Sequence, residues 1–89
     1  MSMRIVYDYN AVLDLKLLPR NIADRITLKI AWYASRENPM RFAKPLQKPF
    51  ESLYRFRIGN YRAIFEANNE HIIRLLIILR VKHRKDAYD

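Results

Sequence analysis

Residues 53–66 read LYRFRIGNYRAIFE. Tyr54, Phe56 and Ile58 alternate with Arg55, Arg57 and Gly59, the period of a strand with one apolar and one polar face. Gly59-Asn60 is a two-residue hairpin signal, because such turns need positive φ and glycine adopts it without strain. Residues 61–67 then form the return strand. With Gly59 and Asn60 as the loop, Ile58 faces Tyr61 and Arg57 faces Arg62. Residues paired in this way share a face, with Cβ atoms roughly 4.5–5.5 Å apart. Arg55 lies two residues back on the same face. The register therefore predicts that Arg55, Arg57 and Arg62 converge on one side, and that Tyr54, Phe56 and Ile58 point to a core on the other.

Outward from this hairpin the chain reads simply. Residues 3–7 form a short first strand. Asp8 or Asn10 caps a helix whose apolar residues are Ala11, Val12, Leu15 and Leu18. Pro19 stops it and opens a second helix with Ile22, Ile26, Ile30 and Tyr33 on one face; Asn38-Pro39 ends that one. Residues 40–50, with Pro45 and Pro49, read as a loop. Asn68-Asn69 marks a turn, and residues 72–81 are almost continuously apolar, as in a central strand covered on both faces. The order is β-α-α-β-β-β in a single domain, residues 1–89. This is an α+β arrangement, an antiparallel sheet packed against a helical hairpin.

The composition narrows the chemistry. The chain has 89 residues, no cysteine and two histidines, which excludes disulfides and gives a metal site no support. No cofactor motif is present. The start, MSMRIVYDYN, lacks the apolar stretch of a signal peptide, and the longest apolar run, residues 75–79, is too short to span a bilayer. A cytoplasmic protein with no membrane association is expected. The formal net charge is +8. Residues 1–40 carry six basic and four acidic side chains, residues 41–89 eleven and five. The basic excess thus lies in the C-terminal half, which suits a polyanion or an acidic partner protein.

A solvated polar face with Glu66 as a counter-ion is one reading of the arginines. A phosphate site is the other, since guanidinium forks match phosphate oxygens in a bidentate manner. Three cations on one face favour the second. The tail adds Lys82, His83, Arg84, Lys85 and Tyr88. Cations that hold phosphates, with an aromatic ring beside them, suit single-stranded RNA; a frayed basic terminus is the other reading. Histidine is the side chain that changes charge near neutrality, which makes His83 a candidate base, although a lone histidine is more often structural.

The segment LYRFRIGNYRAIFE resembles the hairpin of the RelE family. RVKHRKDAY, residues 80–88, is similar to its C-terminal end. The helical hairpin of residues 14–39 and the NP…KPL stretch of residues 38–46 fit the same family, so the resemblance covers the whole chain. It implies the toxin of a type II toxin–antitoxin system, with a cognate antitoxin, the ribosome and mRNA as partners. Its activity would be that of a ribosome-dependent, metal-independent endoribonuclease (an mRNA interferase and translation inhibitor). The ribose 2′-hydroxyl attacks the adjacent phosphate in the A site. The family's catalytic positions fall on Arg55, Arg57, Arg62 and Arg84, with Tyr88 as the C-terminal tyrosine and Lys82 and Lys85 as further RNA contacts.

One departure bears on mechanism. The first two strand positions are lysines in the best-known branch and arginines here. Arginine does not deprotonate in proteins and is a poor base. His83 is therefore expected to be the general base, or else charge stabilisation and positioning supply the rate. Two rival functions share the fold or the charge: a ParE-like inhibitor of DNA gyrase without nuclease activity, and a non-catalytic RNA-binding module. Finally, Leu28 and Trp32 fall opposite the apolar face of helix two, where a surface helix should be polar. They are expected to bind the antitoxin, unless the first helix or residues 40–50 wrap over them.

Overall fold

A computed structural model describes residues 3–68 and 75–87. Strand β1 (Arg4–Tyr7) leads into α1 (Tyr9–Lys16) and α2 (Arg20–Ser35). A 3-10 turn (Pro39–Phe42) precedes β2 (Ala43–Pro45), β3 (Tyr54–Ile58), β4 (Tyr61–Asn68) and β5 (Leu75–His83). The five strands lie in the order β1-β5-β4-β3-β2. Tyr88, Asn69 and residues 72–74 of the expected last strand fall outside the described residues.

The helices follow their sequence signals closely. Asp8 sits at the N-cap of α1 without a side-chain cap bond, and Asn10 lies inside the helix. Pro19 opens α2, and its carbonyl accepts the N–H groups of Ile22 and Ala23. The core forms between α2 and one face of the sheet. Ile26, Ile30, Tyr33 and Ala34 meet Phe56, Ile58, Ala63, Phe65, Leu76, Ile78 and Val81. Aromatic stacking crosses the layers: Tyr33 lies on Phe56, and Phe56 on Phe65, each with ring centroids 4.4 Å apart.

Three features depart from the sequence reading. Residues 40–50 are not only a loop, since they contain the 3-10 turn and the edge strand β2. A proline-bearing strand is tolerated there because the edge needs no donor on its outer side. Strand β1 pairs with β5 in parallel, Arg4 opposite Leu75 to Tyr7 opposite Ile78, so the sheet is antiparallel except at this edge. The long excursion through two helices and a hairpin permits a parallel pairing that a tight turn does not. The β4–β5 ladder also carries a bulge, with Phe65 opposite Ile78 but Ile64 opposite Arg80. Leu79 is the extra residue.

Beyond Tyr7, α1 takes over the edge of β5. Asp14 accepts hydrogen bonds from Arg80 Nε (2.8 Å) and Nη2 (2.9 Å) and from the Val81 N–H (2.9 Å). Burial pushes the Asp14 carboxyl up, but the bonds from Arg80 and Val81 and the charges of Arg80 and Lys82 outweigh it and hold it below its ordinary value. A carboxylate with a depressed folded pKa stabilises the protein above its unfolded value, near 4, and loses that contribution as the pH falls through the folded one. Asp14→Asn is expected to cost about 2 kcal/mol at neutral pH. The gap to the wild type should narrow below about pH 4. Thermal melts of both proteins across that range check it.

Candidate nucleic-acid interface

The hairpin has the expected register, with Ile58 opposite Tyr61, Arg57 opposite Arg62 and Gly59 at φ 58°. It is anchored from behind by Tyr33, whose hydroxyl donates to the Arg57 carbonyl at 2.9 Å. Burial pushes the Tyr33 phenol up, which keeps it a neutral donor. On the third strand Lys82 lies opposite Arg62. Arg57, Arg62 and Lys82 therefore form one row across β3, β4 and β5, on the face turned away from the helices. The adjacent row reads Lys44, Arg55, Ile64 and Arg80 across β2 to β5. Arg80 is occupied by Asp14; Lys44, Arg55, Arg57 and Lys82 belong to a strongly cationic surface.

The members differ in access. Arg57 is exposed, and Arg55 and Lys82 are half-buried. Arg62 departs from the expectation of an open cation, being only 5% exposed. Its Nη1 donates to the carbonyls of Gly59 (3.0 Å) and Tyr61 (2.9 Å). A side chain buried to this extent and turned onto its own hairpin offers little to a ligand; it holds the turn.

His83 departs further. It lies opposite Tyr61, and the two rings meet edge-on at 5.4 Å. Tyr61 shares the helix side with Ile58, and His83 lines a small cavity with Ile22 and Ile26 of α2. The histidine is thus on the opposite side of the sheet from the arginine row. Its Nδ1 accepts the Lys85 N–H at 3.2 Å, and its carbonyl accepts the Asp86 N–H at 2.8 Å. It closes the turn that begins the tail. Arg84 is exposed, and its N–H donates to the Asn60 carbonyl at 2.7 Å, which ties the tail to the hairpin tip. Lys85 is exposed beside it, and Tyr88 lies outside the described residues.

The structure thus brings Arg55, Arg57, Arg62 and Lys82 together, places Arg84 beside the hairpin tip, and separates His83 from them. Lys44 escaped the sequence reading because Pro45 made its segment look like a loop. Its signal was the short extended stretch before the hairpin. Among the described residues no group of three His, Cys, Asp or Glu side chains is placed to hold a metal ion. No helix among them is long and apolar enough to cross a membrane.

Comparison with known proteins gives a consistent picture. Residues 5–88 match the family model described as the ParE toxin of the type II toxin–antitoxin system parDE. The chain is 35% identical over 89 residues to Toxin RelE3 of Methanocaldococcus jannaschii, covering 98% of this chain and 97% of that protein. It is 33% identical over 88 residues to Toxin RelG of Mycobacterium tuberculosis, covering 99% and 98%. Among solved structures it is similar to the toxin–antitoxin complex RelBE2 of Mycobacterium tuberculosis, with a TM-score of 0.79 and 28% identity over 94% of this chain and 100% of that one.

Proposed function

The chain belongs to the RelE/ParE family of type II toxin–antitoxin toxins, and from that premise we propose that it is a ribosome-dependent, metal-independent endoribonuclease. The observation that carries this reading is the alignment of Arg57 and Lys82 on either side of the buried Arg62, with Arg55 beside them, on the sheet face opposite the α2 core. A surface for binding alone tolerates scattered cations; a row in register concentrates charge on one phosphate. The toxin names of RelE3 and RelG favour the same branch. Its place is the cytoplasm, with the ribosome, mRNA and a cognate antitoxin as partners.

In this mechanism the 2′-hydroxyl oxygen forms a bond to the adjacent phosphorus and the bond to the 5′ oxygen breaks. The products are a 2′,3′-cyclic phosphate and a 5′-hydroxyl end. Arg57 and Arg55 stabilise the charge that grows on the phosphorane oxygens, a contribution that is large in a water-poor site. Arg62 acts one step back by holding the turn between Arg57 and Arg84. Arginine neither gives nor takes a proton, so Lys82 is the one member of the row able to do so. Its ammonium protonates the departing 5′ oxygen, while the 2′-hydroxyl proton passes to water. His83 no longer fits the base. It faces the helices, and the lone pair of its Nδ1 is engaged by the Lys85 N–H. His83→Gln should therefore leave single-turnover cleavage within a few-fold of wild type. A loss on the scale of general base catalysis, roughly 10²-fold or more, would return the role to histidine.

The family-model match to ParE toxins supports a second reading, a gyrase inhibitor that cuts nothing. Mapping mRNA 5′ ends during in vitro translation separates the two. New ends inside the ribosome-occupied codon are expected; intact mRNA with blocked DNA supercoiling selects the second reading.

A further inference from the structure

Strand β1 ends at Tyr7, opposite Ile78. Residues 79–83 of β5 therefore have β4 on one side and the helix α1 on the other. The Asp8 N–H donates to the Ile78 carbonyl at 2.8 Å and closes the pairing along that edge. In a regular strand the next amide turned to the same edge belongs to Arg80, two residues on. The bulge at Leu79 passes that place to Val81. The Asp14 carboxylate stands where the Val81 N–H emerges and accepts it at 2.9 Å, on the oxygen that also takes Arg80 Nε; its other oxygen takes Arg80 Nη2. One side chain of α1 thus fixes both the backbone and the arginine at the bulge. It is only 15% exposed, so water is a poor substitute for it. Lys82 is the next residue along the strand, and its charge is one of those that hold the Asp14 carboxyl low.

We propose that Asp14 is a positioning residue for mRNA cleavage: it holds the end of β5 where Lys82 lines up with Arg57, and it keeps the Arg80 guanidinium off the RNA. The proposal rests on the nuclease reading given above. Without the carboxylate the Val81 N–H loses its partner, and the end of β5 is held by β4 alone. A shift of about 1 Å in a group far from the altered residue is enough to cost roughly 10²-fold in rate. Arg80 has the opposite response. It shares a row with Lys44 and Arg55 on the cationic face. Released from Asp14, it gains a phosphate, but not the one being cut. Loss of Asp14 therefore drives binding and rate apart. A purely stabilising ion pair, once broken, leaves both unchanged in the molecules that remain folded.

The test uses the whole chain, with single-turnover cleavage on translating ribosomes and binding to a short single-stranded RNA. Asp14→Leu removes every acceptor at similar size and keeps a good helix former in α1. It should lower cleavage by roughly 10- to 100-fold, yet bind RNA more tightly, with the salt dependence increased by about one phosphate contact. Asp14→Asn retains an oxygen for the Val81 N–H and should recover most of the rate, although it melts below wild type. In a Lys82→Ala background Asp14→Leu should cost no further rate, because its effect passes through Lys82. If Asp14→Leu does not fold, Asp14→Glu takes its place. The charge stays and the carboxylate moves by one methylene, so cleavage should fall about 10-fold with RNA affinity unchanged. Wild-type cleavage by the folded variant overturns the proposal, and so does a rate loss that persists undiminished in the Lys82→Ala background. Both outcomes leave the nuclease reading standing. A wild-type chain that leaves mRNA intact defeats that reading, and the proposal with it.

Discussion

Lys82→Arg is expected to lower single-turnover mRNA cleavage by roughly 10²–10⁴-fold, the range in which general acid catalysis is lost, while RNA affinity stays near wild type. The substitution keeps the charge in line with Arg57 and Arg62 and removes only the ability to surrender a proton. A merely electrostatic lysine would tolerate it, because arginine binds phosphate at least as well. Lys82→Ala serves as the comparison: it should lose both rate and affinity, with the salt dependence of binding reduced by one phosphate contact. Equal rates for wild type and Lys82→Arg would leave charge and in-line positioning as the sources of catalysis.

Arg62→Ala is expected to be mainly a stability lesion. The side chain is buried and donates to the carbonyls of Gly59 and Tyr61. Truncation strands those acceptors and removes a packed stem, at a cost of about 2–3 kcal/mol. For a domain of this size that is a fall of roughly 10–20 °C in melting temperature. Arg62→Met separates the contributions, since it restores the stem without the bonds and should recover part of the loss. Activity should fall in both through disorder of the tip that bears Arg57 and tethers Arg84. An Arg62→Ala protein that melts with wild type but binds RNA with one phosphate contact fewer would make Arg62 a direct ligand instead.

These two substitutions fall on the residues where sequence and structure part. The hairpin was legible because its register depends on local chemistry alone. One glycine with positive φ between two alternating runs leaves a single pairing, so Arg57 opposite Arg62 could be read directly. The helical hairpin was legible for the same reason, from Pro19 and the spacing of Ile22, Ile26, Ile30 and Tyr33. The exposed pair Leu28 and Trp32 followed from that spacing too. What a residue's neighbours do to it was not legible. Arg62 looks like a surface cation in any strand pattern, and only packing around the hairpin buries it.

The last strand makes the division sharpest. Its composition determined that it is a strand near the centre of the sheet, but not which side each basic residue takes. Counting by two from the buried Ile78 would send Lys82 to the helices and His83 to the arginines. The extra residue at Leu79 reverses that parity, because a bulge sets two residues of one strand against one of its partner. Val81 then enters the core, Lys82 joins Arg57 and Arg62, and His83 turns to Tyr61. A run of five apolar residues carries no mark of where such a bulge falls. Its position is decided by the fit of β5 between β4, β1 and the Asp14 carboxylate, which are contacts between parts of the chain far apart in sequence. The kinds of residue at the site and the hairpin that presents them are therefore properties of the sequence read locally. Which of two adjacent residues joins the arginine row is a property of the tertiary structure.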